Sequence, residues 1–179
     1  MRIFQQVLHS FKNSDRTNIL TLELVLERAK IIGTRSGNSG LHDYIRALLY
    51  PSMYQHLYNC ITSEEHKIPG DNTCFEFFPD ERIYNRLTDV KELTGKKYKV
   101  FLGHDIVYAT PWNSDSINNI GKIGHKKEFV EDPSNHQVVL YQPMDVSFVI
   151  NGNHSIMQGI ITGTGIVHPS IVCDLSDYL

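Results

Sequence analysis

The stretch Val146-Ser147-Phe148-Val149-Ile150-Asn151-Gly152-Asn153-His154-Ser155-Ile156 decides how this chain is read. Val146, Phe148 and Ile150 recur at a period of two, which predicts a strand with one face on an apolar core. Asn151-Gly152 is a turn signal. From about His154 to Ile161 the apolar residues Ile156, Ile160 and Ile161 fall at helical spacing, and Gly163-Thr164-Gly165 ends the helix. Strand, glycine turn and short helix therefore follow one another without a spacer.

Upstream of this unit, His136 to Tyr141 also alternates, and Tyr98–Leu102 and Asp105–Ala109 read as extended. The four segments 98–102, 105–109, 136–141 and 146–150 are expected to share one sheet. Pro111-Trp112-Asn113 interrupts the pattern, and Asn113 or Ser114 can cap a short helix through Ile117, Ile120 and Ile123. Helices this short need a sheet for support, since isolated helices under about 12 residues are marginal in water. Packing both on the same sheet would bring Trp112 and His154 to the rim of one cleft.

The N-terminal part reads as helical. Asn18 can cap a helix carrying Leu22, Val25, Leu26, Ala29 and Ile32, with Gly33 as its stop and 34–40 as a polar loop. A second helix over 41–61 should be kinked or split by Pro51, which lacks an N–H and crowds the preceding turn. Residues 62–80 read as an irregular connector, with an aromatic run at Phe75, Phe77 and Phe78 that suits a strand or a core plug. Asp80 to Leu93 is a helix candidate ending at Gly95. The fold class is α+β, a helical N-terminal region (1–95) followed by a small mixed-sheet α/β domain (96–179).

The formal net charge of −3 argues against a protein that coats a nucleic-acid backbone, while leaving a local nucleic-acid patch open. No apolar run approaches the roughly 18–20 residues needed to span a bilayer, so no membrane partner is expected. The early polar residues do not read as a secretory signal. The three cysteines, Cys60, Cys74 and Cys173, are dispersed, which fits reduced thiols in a cytoplasmic protein.

The chemistry concentrates at Gly152. Glycine between strand and helix permits positive φ and close backbone approach to a ligand. The first helical amides lack intrahelical acceptors and sit at the positive end of the helix dipole, a site suited to phosphate or carboxylate. The alternative is a plain strand–turn–helix in which Asn153 only caps. His154, neutral near pH 7 at a helix N-terminus, can move a proton or donate to a phosphate, or else fill space. Trp112, the only tryptophan, can anchor the core or stack on a ring, and Asn113 adds polar reach. Asn135-His136 precedes one strand and His104-Asp105 lies at the start of another, so His104, His136 and His154 could approach each other if the strands are neighbours. His104, His136 and His154 with Asp105 or Asp115 would make a metal set, but no short-range spacing supports it, and no metal ligand or cofactor is assigned.

Several motifs carry a family resemblance: Pro111-Trp112-Asn113, Ile120-Gly121-Lys122-Ile123-Gly124, Asn135-His136 and Gly152-Asn153-His154-Ser155-Ile156, followed by Gly159-Ile160 and Gly163-Thr164-Gly165. Over about residues 98–167 the chain resembles the ParB/sulfiredoxin-like superfamily, and more closely an uncharacterised bacterial and mobile-element family. In the superfamily the corresponding turn faces nucleotide phosphates. The resemblance thus implies a nucleotide or other phosphate-bearing ligand held by Trp112, Asn113, Asn135, His136, Gly152, Asn153 and Ser155. Phosphoryl transfer or phosphate-ester hydrolysis through His154 would be the matching chemistry. The arginine expected after the glycine turn is missing, with Ser155 and Ile156 in its place. That departure keeps open a non-catalytic regulator or inhibitor that contacts a host protein.

Overall fold

A computed structural model describes residues 16–62, 91–93, 97–112 and 129–176. The expected aromatic plug at 75–78, the helix starting near Ser114 and the site residue Asn113 lie outside them. The elements are α1 (Arg16–Thr62), β1 (Lys91–Leu93), β2 (Val100–Phe101), β3 (Ile106–Tyr108), β4 (Gln137–Gln142), β5 (Val146–Asn151), α2 (Asn153–Thr162), β6 (Ile166–Val167) and β7 (Ile171–Asp174). This is an α+β fold with a mixed sheet, as the sequence suggests.

The main sheet has the order β1-β7-β4-β5-β3. β4 and β5 form an antiparallel hairpin, while β3 lies parallel to β5 and β7 parallel to β4. Val146, Ser147, Phe148 and Val149 are all buried, so β5 is covered on both faces. The expected one-sided burial of 146–150 does not hold, since Ser147 and Val149 are buried as well as Val146 and Phe148, while Ile150 is exposed.

Residues 98–102 do not join the main sheet. β2 pairs antiparallel with β6 in a separate two-stranded ladder, Val100 opposite Val167. The chain then turns sharply: the amides of His104 and Asp105 donate to the Phe101 carbonyl, and the Asp105 carboxylate accepts from the Phe101 amide at 2.7 Å. The other flank of the sheet is filled by β7 and β1. Lys91–Leu93, expected to end a helix, forms β1 against β7. Tertiary pairing overrides local helix propensity there.

α1 is two helices merged across a kink at Gly37 (φ 61°, ψ −152°), so the expected pair of helices with a break inside 34–40 holds, although the first runs past Gly33. The second folds back on the first, with Tyr44 Oη donating to the Val25 carbonyl at 3.2 Å. A Cβ at Gly33 would lie 3.3 Å from Leu41 Cδ1 of the returning helix, a close approach that a small shift of Leu41 would accommodate. Pro51 does not split the second helix. Ala47, whose carbonyl loses its donor, is exposed like Pro51, so water can satisfy it.

Met53 and Leu57 of α1 join the same core as Ile106, Val138, Phe148 and Ile156. Tyr50 Oη donates to the Asp105 carbonyl (3.3 Å), Arg46 to the His104 carbonyl (2.8 Å), and Ser52 Oγ lies 3.0 Å from Tyr108 Oη. Among the described residues no helix is long and apolar enough to cross a membrane.

Candidate functional site

Strand direction builds the site. β3 and β5 run parallel in a register that sets Tyr108 beside Phe148, so both finish at the same sheet edge. β4 is antiparallel to β5, with Gln137 opposite Asn151, so its beginning lies at that edge too. Ala109-Thr110-Pro111-Trp112, Asn135-His136 and the Gly152 turn therefore converge. Of the sequence-derived candidates, all except Asn113 can be placed, and they fall in this one cluster.

Gly152 is the N-cap of α2, with φ 78° and no side-chain cap. A Cβ there would stand 2.7 Å from His136 Cδ2 and 2.9 Å from the Asn135 carbonyl oxygen. Glycine is thus required twice, for its backbone angle and for the close approach of the 135–136 segment. Asn151 Oδ1 accepts from the Gly152 amide at 2.9 Å. Asn153 is buried, and its Oδ1 accepts the Thr110 amide at 2.7 Å. It ties the two chain segments together, and the alternative in which Asn153 caps its own helix does not hold.

His136 is buried and its imidazole is fully engaged. Nδ1 accepts from the Asp132 amide at 2.9 Å, so Nε2 carries the proton and donates to Ser155 Oγ at 2.8 Å. Ser155 in turn donates to the Gly152 carbonyl at 3.2 Å. In this tautomer His136 cannot take a proton from Ser155, and the pair is not an activated serine nucleophile. Burial pushes the His136 pKa below its ordinary value, against the opposing pull of Asp132 and Glu131. Phe129 stacks on the imidazole at 4.9 Å between centroids.

The loop beneath is itself pinned. Asp132 Oδ1 accepts from the Ser134 amide (3.0 Å) and hydroxyl (2.6 Å), bonds that hold its carboxyl below the usual range. Glu131 accepts from the His168 backbone amide at 2.6 Å and contacts His168 Nδ1 at 2.8 Å. Sequence reading missed these supports. Asp132-Pro133-Ser134-Asn135 was the available signal, a composition typical of side-chain-stabilised turns.

Two rings face the open side. Trp112 is 39% exposed and so is not a core anchor. Its ring meets that of His154 edge-on, 5.9 Å between centroids. The first-turn amides of Asn153 and Ser155 have no hydrogen-bond partner among the described residues. Among those residues no group of three or more His, Cys, Asp or Glu is placed to hold a metal, and His104, His136 and His154 do not form one. What the cluster offers chemically is a helix N-terminus with free amides beside an aromatic pair, on a rigid hydrogen-bonded base.

No curated protein and no solved structure matches this sequence. A family match does cover both α1 and the Gly152 turn: over residues 4–179 the chain belongs to the family of unknown function DUF6710.

Proposed function

We propose that the Gly152-Asn153-His154-Ser155 turn binds an anionic ligand, a nucleotide or another phosphate-bearing small molecule. The observation that carries this reading is the start of α2, where the Asn153 and Ser155 amides lack partners among the described residues, next to the Trp112–His154 ring pair. Amides and helix dipole favour a phosphate, and a partly exposed indole suits a base or sugar ring. The resemblance to ParB/sulfiredoxin-like proteins, whose corresponding turn faces phosphates, supports the same choice.

Trp112, the only tryptophan, is a built-in reporter. Its fluorescence should change saturably on titration with nucleoside mono-, di- or triphosphates, with or without magnesium, and His154→Ala should reduce the change. A flat response to every nucleotide and to inorganic phosphate would sink the proposal. Turnover is a separate question asked of the same site. If a phosphate ester is cleaved, His154→Ala should slow it by about 10²–10⁴-fold while affinity falls far less.

A second reading, a regulator or inhibitor working by protein–protein contact, is favoured by α1. Tyr54, Tyr58 and Ile61 follow at helical spacing and are 41%, 60% and 54% exposed. Silence in the nucleotide titration, with a host protein retained specifically by the wild type and lost on Tyr58→Glu, would favour it.

A further inference from the structure

β5 ends at the Gly152 turn, and near its beginning lies a feature that turn does not use. A cavity of about 290 Å³ is floored by Val100, Leu140 and Ser147 and rimmed by residues including Lys99, Asp105 and Asp145. None of its lining residues belongs to the Gly152 cluster. Ser147 has no exposed surface, and its hydroxyl has no hydrogen-bond partner among the described residues. A buried hydroxyl left unsatisfied costs about 1–3 kcal/mol, so one at the floor of a cavity points to something that completes it.

The rim indicates the charge of that ligand. Asp105 engages one carboxylate oxygen with the Phe101 amide at 2.7 Å, and Asp145 Oδ1 accepts from the Gln142 side chain. Each carboxylate keeps its second oxygen, and among the described residues neither forms an ion pair with Lys99. With the lining His42 counted as neutral, formal charges of −1 for Asp105, −1 for Asp145 and +1 for Lys99 sum to −1, which disfavours an anion and favours a cation. Apart from Ser147 the floor is apolar, through Val100 and Leu140.

We propose that this cavity binds a small primary amine with an apolar body and a polar group at its far end. The ammonium sits at the Asp105–Asp145 rim, the body covers Val100 and Leu140, and the distal group hydrogen-bonds to Ser147. The volume lies at the small end of ligand pockets, roughly 300 Å³ and upward, which limits the ligand to about amino-acid size. This site is independent of the anion reading at Gly152.

The test is an amide-resolved NMR titration of the full chain with tyramine, phenethylamine, which lacks the hydroxyl, and tyrosol, which lacks the ammonium. Tyramine should give saturable shifts at Val100, Leu140 and Ser147, and tyrosol should bind about tenfold more weakly, as loss of a charge-assisted hydrogen bond predicts. Asp145→Asn should weaken tyramine by a similar factor. Asp145 has φ 53°, a conformation asparagine tolerates, so this variant should fold normally. Ser147→Ala should erase the preference for tyramine over phenethylamine, while the Trp112 response to nucleotides stays as it was. Absence of tyramine shifts at the floor residues, equal binding of tyrosol, or unchanged affinity in Asp145→Asn would each overturn the proposal.

Discussion

The two ends of β5 treat polar side chains in opposite ways. At its C-terminal end, Asn153, His136 and Ser155 are each matched to a named partner, the Thr110 amide, the Asp132 amide and the Gly152 carbonyl among them. Near its N-terminal end, Ser147 is buried, and its hydroxyl has no hydrogen-bond partner among the described residues. The residues that look most chemical in the sequence are mainly the scaffold of their site. Ser147, which reads as a filler between Val146 and Phe148, is the unsatisfied one. Polar residue type alone does not separate a working group from a structural one, whereas the partner each group has found does.

The largest expected effect is at Gly152. Gly152→Val forces a β-branched residue to φ 78° and drives its Cβ against His136. It should cost about 3 kcal/mol or more, read as a lower midpoint in chemical denaturation. A tolerated valine would mean that the turn is looser than its hydrogen bonds imply. For the same reason Gly152 variants cannot report on ligand binding separately from folding.

His136→Ala should cost about 2–3 kcal/mol, since it orphans the Asp132 amide and removes the stack on Phe129. His136 also predicts a pH dependence. Its pKa lies below the ordinary 6.5 in the folded chain, chiefly through burial. The unfolded chain therefore takes up the proton first, and stability should fall as pH drops from about 6.5 through the folded value. Denaturation midpoints at pH 7 and pH 5 in wild type and His136→Ala should differ by less in the variant. An equal difference in both would remove His136 as the cause.

Asn153→Ala should cost about 1–2 kcal/mol by leaving the buried Thr110 amide without its acceptor. Loosening that tie should also change the Trp112 emission spectrum, because Thr110 positions the segment that carries Trp112. An unchanged spectrum would show that other contacts hold the indole.

The smallest effect, of opposite sign, sharpens the comparison most. Ser147→Ala should leave stability unchanged or raise it by up to about 1 kcal/mol, because no hydrogen bond to a described residue is lost. A loss greater than about 1 kcal/mol on thermal unfolding would mean that the hydroxyl is satisfied in solution, and the contrast between the two ends of β5 would disappear.

Much of the local structure was legible in the sequence. Period-two alternation marked β4 and β5, Asn151-Gly152 marked the turn, and the glycine after Thr162 marked the end of α2, where Gly163 and Thr164 donate to the Ile160 and Gly159 carbonyls. These are near-neighbour effects, decided by backbone sterics and by which side chains alternate. The break expected after Gly33 came at Gly37, and Pro51 did not split its helix, because a breaker residue states a local cost, and packing and solvation decide where that cost ends a helix. β7 was missed, and with it β1 and the true partner of β2, because a short strand takes its identity from the edge it joins.

The sequence by itself determined the α+β class, the strand–turn–helix unit and the set of residues worth testing. Only the tertiary structure decided that Trp112, His136 and Gly152 meet, because the parallel pairing of β3 with β5 is a long-range choice that no local pattern encodes. It also decided which of those groups keep free valence. A hydrogen-bond donor or acceptor is available to a ligand only if the fold has not already supplied its partner, and that partner commonly lies tens of residues away, as Thr110 does from Asn153.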